Sequence, residues 1–302
     1  DIQGTASVTV GGILAALRIT GQPMSAQRLV FIGAGEACTG IARLVATAMR
    51  AEGADEETIR NSFMAFDSKG LLHDGRSIDE APKRELTASS AMLRRFGLDP
   101  AGDLSPTAVI RALKPTILVG ATAKPGAFTE EMVREMAKHV EQPIILPLSN
   151  PNSKAECAPK EAIAWTEGRA IVATGSPFPD VEYGGRRHVI GQANNVFVFP
   201  GVGLGAIISE AHEVNDEMFF IASRTLADCV AQDRLEQGAI YPHQSKLREV
   251  SFKIACGVVR YASQHHLGRH IPEDRIESVV RKAVWDPKYI PIEAPEPAMS
   301  EI

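Results

Sequence analysis

A glycine-rich turn is the stretch of this sequence whose residue types and spacing point most directly to chemistry. Gly33, Gly35 and Cys38 give a GxGxxG-like spacing between the apolar run 29–32 and a segment of small apolar residues at helical spacing. Such a turn leaves backbone N–H groups free at a helix N-terminus, and glycine lets a phosphate approach them. The pattern predicts a dinucleotide site, and any glycine-rich turn before a helix is the alternative.

An acidic residue follows the second apolar run at the position where a ribose ligand is expected. Residues 62–66 have strand character and end at Asp67. In a dinucleotide-binding unit, the acidic residue after the second strand hydrogen-bonds the adenosine ribose, usually roughly 20 residues beyond the glycines. The interval is longer here, so a turn or helix-capping role for Asp67 before Gly70 stays open.

Basic residues near Asp67 bear on the choice of cofactor. Lys69 and Arg84 are candidates to accept a 2′-phosphate, which favours NADP over NAD. Asp74, Asp79 and Glu80 partly offset their charge, so a solvated mixed-charge loop is an equally good interpretation.

Further strand and helix units imply the fold class. The sequence predicts a helix over residues 7–18, and apolar runs of strand length lie at residues 115–119, 143–148 and 170–173. Strands that alternate with helices predict an α/β fold, a Rossmann-type doubly wound parallel sheet with helices on both faces. Ligand-facing residues then lie just beyond the carboxyl ends of the strands, where Gly120, Asn150 and Ser176 fall.

A pair of amides forms the densest polar cluster. Asn194 and Asn195 are predicted to precede an apolar strand over residues 196–199 and a glycine-rich bend over residues 201–205. Amides both donate and accept hydrogen bonds and suit a carboxylate or a carboxamide, although paired Asn residues also occur in plain turns. The remaining sequence predicts C-terminal helices over residues 207–232, 246–263 and 272–284.

Composition excludes several classes of partner. The net charge of −5 gives no electrostatic reason to expect nucleic acid or an anionic membrane surface. No apolar stretch approaches the ~18 residues of a membrane span, and the four widely spaced cysteines indicate reduced cytoplasmic thiols. The chain begins at Asp1 without Met, so an excised domain or a processed product is expected.

The motifs, taken together, resemble the malic enzyme family. The matching segments are ordered along the chain: residues 1–6 (DIQGTA), 33–37 (GAGEA), 40–42 (GIA), 67–71 (DSKGL), 148–151 (LSNP), 155–157 (AEC), 175–178 (GSPF), 191–195 (GQANN), 199–201 (FPG) and 236–242 (EQGAIYP). The resemblance therefore covers nearly the whole chain and is weakest in the C-terminal tail.

The resemblance implies oxidative decarboxylation of L-malate to pyruvate and CO₂ with NAD or NADP and Mg²⁺ or Mn²⁺. It places Asn150, Asn194 and Asn195 beside the substrate, with Asn195 also near the nicotinamide, and makes Asp1 a carboxylate ligand of the metal. Residues expected at the cofactor are Gly33, Gly35, Glu36, Ala37, Asp67, Ser68, Lys69, Gly120, Ser176 and Asn195.

The same resemblance places the catalytic Tyr and Lys and a Glu-Asp pair of metal ligands upstream of Asp1. The chain by itself is therefore expected to be catalytically inactive but to bind the cofactor. Expected divisions are a dinucleotide-binding domain (1–194), a helical return segment of the substrate domain (195–266) and a C-terminal extension (267–302). Apolar surface left bare on the return helices predicts a homo-oligomer or a shifted helix packing.

Two other interpretations stay open at this point. A malolactic enzyme is closely related and releases lactate, and product analysis of the full-length parent separates the two reactions. A regulatory module that binds a dinucleotide without turnover belongs to another class. Finding the upstream Tyr, Lys and Glu-Asp in the parent gene would argue against that interpretation. The sequence does not fix NAD against NADP, the subunit number or an allosteric effector.

Overall fold

A mostly parallel β-sheet forms the centre of the protein in a computed structural model that describes residues 2–285. The strands of this part of the chain are β1 (Leu29–Ile32), β2 (Phe63–Asp67), β3 (Gly70–Leu71), β4 (Ile117–Gly120), β5 (Ile144–Pro147), β6 (Ile171–Thr174), β7 (Val181–Tyr183), β8 (Arg186–His188) and β9 (Gly191–Gln192). Seven of them pair in the order β3-β2-β1-β4-β5-β6-β9, and only β2 with β3 is antiparallel. β7 and β8 form a separate antiparallel hairpin.

Helices cover both faces of the sheet. Those in the described range are α1 (Gln3–Thr20), α2 (Glu36–Ala51), α3 (Glu56–Arg60), α4 (Ala81–Arg84), α5 (Ser90–Arg95), α6 (Pro106–Leu113), α7 (Glu130–His139), α8 (Pro159–Trp165), α9 (Phe199–Ile208), α10 (Asp216–Asp228), α11 (Gln232–Glu236), α12 (Leu247–Gln264) and α13 (Glu273–Ala283). Their starts follow local chemistry, since the side chains of Ser105, Thr129 and Asn215 accept backbone N–H bonds at the N-termini of α6, α7 and α10. No helix of residues 2–285 combines the length and apolar character needed to cross a membrane.

Two cores flank the sheet because strand side chains alternate between its faces. Leu29 and Phe31 of β1 lie in the core with α1, α2, α10 and α12. Val30 and Ile32 lie in the core with α5, α6, α7 and α8. This arrangement confirms the predicted α/β class and the parallel sheet.

The predicted strand at residues 196–199 is wrong. Asn195–Phe197 forms a 3₁₀ helix and α9 follows directly, so the expected glycine bend is helical as well. A Cβ on Gly201 or Gly205 would lie 2.6 Å from the Cβ atoms of Ile254 and Val258 in α12. These glycines recur at an interval of one helical turn because they allow a close helix contact, not because the chain bends.

The C-terminal helices pack against α1 rather than standing apart from the sheet. The buried Tyr241 hydroxyl donates to the Val8 carbonyl at 2.9 Å, and Arg18 donates to the carbonyls of Ala227 and Val230. The prediction of one helix over residues 207–232 is wrong, since α9 ends at Ile208 and α10 and α11 follow as separate helices. Both α12 and α13 agree with the predicted segments.

Candidate functional site

The turn between β1 and α2 is open in front of the helix. Gly33 has a φ of +103°, and a Cβ there would lie 2.8 Å from the Ala121 carbonyl oxygen, so only glycine fits. Gly35 is the N-cap of α2, no side chain caps the helix, and a Cβ on Gly35 would meet nothing within 4 Å. A phosphate can therefore approach the backbone N–H groups of the first turn.

This turn lies at the crevice where ligands of open α/β sheets bind. β1 pairs with β2 on one side and β4 on the other. The helix after β1, α2, packs on one face of the sheet, whereas α7 after β4 packs on the opposite face. The two connections diverge at the carboxyl ends of the strands, which is the usual dinucleotide position.

Residues of the first turn of α2 have different surroundings. Glu36 is exposed and Ala37 is half-buried beside the open space, whereas Cys38 is fully buried behind it. Burial, with a smaller contribution from the charge of Glu156, raises the pKa of the Cys38 thiol to about 12. Cys38 is therefore neutral and serves the close packing expected at the third fingerprint position.

Asp67 ends β2 at the same edge of the sheet. Its carboxylate accepts hydrogen bonds from the Lys69 backbone N–H at 2.8 Å and from the Arg76 guanidinium at 3.0 and 3.2 Å. Partial burial opposes ionisation, but these hydrogen bonds outweigh it and hold the pKa of the carboxyl below its ordinary value. A charged, oriented carboxylate therefore stands where a ribose ligand is expected.

The cations around Asp67 are not the ones that the sequence suggested. Arg84 donates to the carbonyls of Ile78 and Asp79, so its guanidinium is held by the backbone. Arg76 and Lys83 instead approach the carboxylate, with Lys83 Nζ 3.8 Å away. In the sequence both are only basic residues beyond Asp67, because the loop that contains Arg76 and the short helix α4 that contains Lys83 must fold back to bring them to Asp67. Ser68 and Lys69 are exposed next to Asp67.

A second part of the site lies beyond β5, β6 and β9. Here a cavity of about 260 Å³, which we call the amide cavity, collects several predicted residues. Its lining residues are Thr5, Val8, Thr9, Leu148, Asn150, Gly175, Gln192, Ala193, Asn194 and Asn195. The structure thus brings Asn150 to the same cavity as Asn194 and Asn195, although it lies on a different loop.

Hydrogen bonds orient the amides of this cavity. Ser176, which is buried, donates to Asn150 Oδ1, and Asn195 Nδ2 donates to Thr5 Oγ1 at 3.4 Å. Asn194 Oδ1 accepts from the Val196 backbone N–H at 3.0 Å, so this residue also caps the following 3₁₀ helix. Asn194 therefore caps the 3₁₀ helix, as the turn interpretation predicts, and also lines the amide cavity.

Glu156 is a buried carboxylate that the sequence reasoning passed over. It accepts hydrogen bonds from Thr122 N at 2.7 Å and Oγ1 at 2.9 Å and from Ser149 Oγ at 2.5 Å. It therefore ties together the loops that leave β4 and β5. A Cβ on Gly120 would lie 2.6 Å from Glu156 Cγ, so this glycine makes room for the carboxylate. The signal available in the sequence was a lone Glu between Ala155 and Cys157.

A larger cavity lies elsewhere. It measures about 710 Å³ and runs between α2, α3 and the segment around α5, without contact to the fingerprint glycines. Its cationic side chains are largely neutralised by ion pairs, such as Arg43 with Glu85 and Arg50 with Glu56. The predicted cofactor residues Gly33, Gly35 and Asp67 do not line this larger cavity.

Metal ligands are not clustered in residues 2–285. No group of three or more His, Cys, Asp or Glu side chains that could hold an ion occurs in this range. The predicted ligand Asp1 and the C-terminal tail from residue 286 lie outside the described residues. All four cysteines are free.

The fold and these features define a Rossmann-like dinucleotide-binding domain, and comparison with known proteins then gives its family. Residues 2–263 match the family model described as "Malic enzyme, NAD binding domain". The chain is 40% identical over 289 residues to the NAD-dependent malic enzyme of Sodalis glossinidius and 39% identical to that of Pseudomonas aeruginosa. Each match covers 96% of this chain. The chain belongs to the malic enzyme family.

Solved structures agree with this assignment. A malic enzyme from Entamoeba histolytica superposes with a TM-score of 0.73 at 27% identity over 94% of this chain. The Pyrococcus horikoshii malic enzyme, at 23% identity and a TM-score of 0.68, supports the fold alone. The chain spans about half the length of these relatives, 51% for the S. glossinidius protein and 52% for the E. histolytica structure.

Proposed function

We propose that this chain is the NAD-binding part of an NAD-dependent malic enzyme that oxidises and decarboxylates L-malate to pyruvate and CO₂. The observation that carries the proposal is the open N-terminus of α2 at the carboxyl edge of a parallel sheet. No side chain caps this helix, and no atom lies within 4 Å of the position that a Cβ on Gly35 would take. The family resemblance supplies the reaction, and the relatives are named NAD-dependent malic enzymes.

The residues fit NAD from its adenosine end to its nicotinamide end. The backbone of Gly33 and Gly35 and the first turn of α2, with Glu36 and Ala37, would hold the pyrophosphate. Asp67 would accept hydrogen bonds from the adenosine ribose, with Ser68 and Lys69 at its edge. Gly120, Ser176 and Asn195 would border the nicotinamide half.

NAD is the cofactor that we favour over NADP. The ionised carboxylate of Asp67 would repel a 2′-phosphate, and its hydrogen bonds with Arg76 engage the nearest guanidinium. Lys69 has its side chain exposed, and the guanidinium of Arg84 is held by backbone carbonyls. The printed names of the relatives, NAD-dependent malic enzymes, point the same way.

On the substrate side, the chain supplies oriented amides. Asn150, fixed by Ser176, and Asn195, fixed by Thr5, would contact malate or the nicotinamide, and Asn194 would stand beside them. When bound, NAD supplies the acceptor for the hydride that leaves malate. The chain's own residues bind and orient the two molecules and exclude water from the amide cavity.

The divalent metal and the acid–base groups belong mainly to residues that the family resemblance places before Asp1. Asp1 would contribute one carboxylate to Mg²⁺ or Mn²⁺, which need a larger set of oxygen ligands. We therefore propose that the 302-residue chain alone binds NAD but forms no NADH from malate. Malate-dependent NADH formation by this polypeptide would contradict that proposal.

We also propose the division into a dinucleotide-binding domain (1–194), a return segment of the substrate domain (195–266) and an extension (267–302). α1 belongs to the dinucleotide-binding domain, whereas α10 and Tyr241 belong to the return segment. Because α1 packs against both, these two parts of the chain share one core. A cytoplasmic location is proposed because the four cysteines are free.

A substitution at Gly35 tests the proposed cofactor site. Gly35 has an ordinary φ of −80° and open space around it, so Gly35→Val fills the phosphate approach without an internal clash. We expect unchanged thermal unfolding and a loss of NAD affinity of at least about tenfold by titration calorimetry. Gly203→Val, at another open glycine far from the site, is the matched control. Undiminished NAD binding by Gly35→Val would overturn the proposed site.

A further inference from the structure

Thr9 carries a hydroxyl that the protein itself does not satisfy. Thr9 is fully buried in α1, and Oγ1 is the only buried side-chain nitrogen or oxygen of residues 2–285 without a hydrogen-bond partner. Buried hydroxyl groups almost always find a partner. A helical Thr has one ready, the carbonyl four residues earlier, but Thr9 makes no such bond.

The other small hydroxyl residue in this part of α1 shows the contrast. Ser7 Oγ donates to the Phe219 carbonyl at 2.8 Å and lies 3.1 Å from Ser223 Oγ. Its hydroxyl therefore belongs to the contact between α1 and α10. Thr9 lines the amide cavity instead, one turn after Thr5 on the same face of α1.

The chemistry of the amide cavity indicates what it accepts. Among the described residues, those that line the cavity are apolar, hydroxyl or amide residues or glycine, and none is charged. At Thr9 itself, a carboxylate would therefore gain no cation from these residues, which is unfavourable. A neutral carboxamide offers both a donor and an acceptor and matches hydroxyl and amide partners.

We infer that Thr9 is a cofactor-binding residue whose hydroxyl hydrogen-bonds the carboxamide of the nicotinamide ring. The inference rests on the proposed function, since it assumes that NAD binds with its adenosine end at Asp67. From there the dinucleotide crosses β1 toward β5 and β6, where the amide cavity lies. The carboxamide then completes the hydrogen bonding of Oγ1.

The test compares NAD with ADP-ribose, which lacks the nicotinamide, on the full 302-residue chain. For Thr9→Val, which removes the hydroxyl and keeps the shape, we expect NAD affinity to fall about tenfold and ADP-ribose affinity to stay unchanged in titration calorimetry. Thr9→Ser should retain NAD binding within about threefold. The melting temperature of Thr9→Val should not fall, because the hydroxyl that is lost has no partner in the protein.

Thr166→Val is the matched control. Thr166 is equally buried, but its hydroxyl donates to the carbonyls of Ala162 and Ile163 and accepts from Ala170 N–H, far from the amide cavity. This variant should lose thermal stability and keep both affinities, which is the reverse of the Thr9→Val pattern.

Each other outcome has a distinct meaning. Equal NAD affinity of wild type and Thr9→Val, or equal losses for NAD and ADP-ribose, would overturn the Thr9 assignment while the proposed function stands. A wild-type chain that binds neither compound would overturn the proposed function, and the Thr9 assignment with it.

Discussion

Asp67 is the residue at which charge decides cofactor choice. Arg76 donates to its carboxylate through Nη2, and Lys83, which is paired with Glu80, lies 3.8 Å away. Removing that charge would leave Arg76 Nη2 without its carboxylate partner, while Nη1 keeps its bonds to the carbonyls of Gly70 and Leu71. The carboxylate, and not the number of basic residues in the loop, therefore sets the expected preference for NAD.

Asp67→Ser should shift the cofactor preference toward NADP. Loss of the carboxylate removes the ribose acceptor and leaves Arg76 Nη2 available for a 2′-phosphate. We expect the ratio of NAD to NADP affinity to fall at least about tenfold, or about 1.4 kcal/mol, in calorimetric titrations. Asp74→Ser, in the same loop but hydrogen-bonded to Ser90, should leave the ratio unchanged. An unaltered ratio in Asp67→Ser would mean that this carboxylate does not face the ribose.

Glu156 should be the most sensitive polar residue of the site for stability. In Glu156→Gln the amide oxygen can replace Oε1, which accepts from Thr122 and from Ser149 Oγ, but the NH₂ group then faces the Ser149 N–H, so that hydrogen bond and the negative charge are lost. We expect a loss of about 2–3 kcal/mol in urea unfolding. Glu161→Gln is the control, since an exposed Gln can still accept from Ala158 N–H in the capping box. A change in Glu156→Gln no larger than in the control would contradict the structural role.

For single residues, the sequence predicts a role in the site where that role follows from the neighbouring residues in the chain. Gly33, Gly35 and Asp67 are recognisable because a strand precedes each of them and a tight turn follows. Arg76 and Glu156 are not, because they reach the site only after a loop folds back or a buried network forms. Their local sequence carries no comparable signal.

Among the elements, the pair α9 and α12 depends on two glycines. A Cβ on Gly205 would lie 2.6 Å from Val258 Cβ, whereas one on Gly203 meets nothing within 4 Å. Gly205→Ala should therefore lower the free energy of unfolding by about 1–3 kcal/mol through overpacking. Gly203→Ala should raise it by about 0.5–1 kcal/mol, because Ala is the better helix former. Thermal unfolding of the two variants tests this prediction. Equal changes in stability would show that close packing of α9 on α12 is not the reason for glycine at residue 205.

The contact between α6 and α7 should make stability depend on acid pH. Glu135, almost fully buried, receives hydrogen bonds from Lys138, Arg111 and His139. The hydrogen bond from Lys138, followed by those from Arg111 and His139, outweighs the cost of burial and lowers the pKa of Glu135 to about 2. Because the folded-state value is lowered, this stability is present above the unfolded pKa of about 4.5 and is lost as pH falls toward 2.

Glu135→Gln tests that dependence. Urea unfolding between pH 7 and pH 3 should show the variant less stable at pH 7, by at most about 3 kcal/mol, with the difference shrinking at the acid end. Glu131→Gln, at an exposed position of the same helix, should match wild type within about 0.5 kcal/mol. A difference that stays constant with pH would show that the ionisation of Glu135 is not its source.

The elements were predictable where hydrophobic pattern and length agreed. β1 coincides with its apolar run, and α12 and α13 lie within one residue of their predicted bounds. For α9 the sequence predicted a strand and a bend, because a glycine-rich segment looks the same whether it forms a turn or a close helix contact. β3 and β9 are too short for any periodicity to show.

For the whole molecule, one core joins the sheet to the helices that follow it. α1, α2, α10 and α12 share that core, so unfolding of the C-terminal helices would expose the face of the sheet that carries α2. The proposed cofactor site therefore depends on residues far along the chain. Tyr241 shows the coupling directly, because a Cβ on Gly12 of α1 would lie 2.2 Å from its hydroxyl oxygen.

One apolar surface of the whole molecule remains uncovered. α9 contains no charged or polar side chain; its buried face meets α12, whereas Phe199 and Ile207 on the other side are 43% and 76% exposed. Exposed apolar patches favour association. Since the chain spans only about half of its relatives' length, we expect this face to drive self-association of the isolated chain.

Ile207→Lys should weaken that association, because burying an ammonium group in an apolar contact is costly. Sedimentation velocity over a range of concentrations should show a concentration-dependent shift for wild type and a smaller one for the variant. Tyr183→Lys, at a 37% exposed position on β7, changes charge equally at another surface and should sediment as wild type. A wild-type chain that sediments as a compact monomer at every concentration would show that α9 drives no association and would count against the expected homo-oligomer.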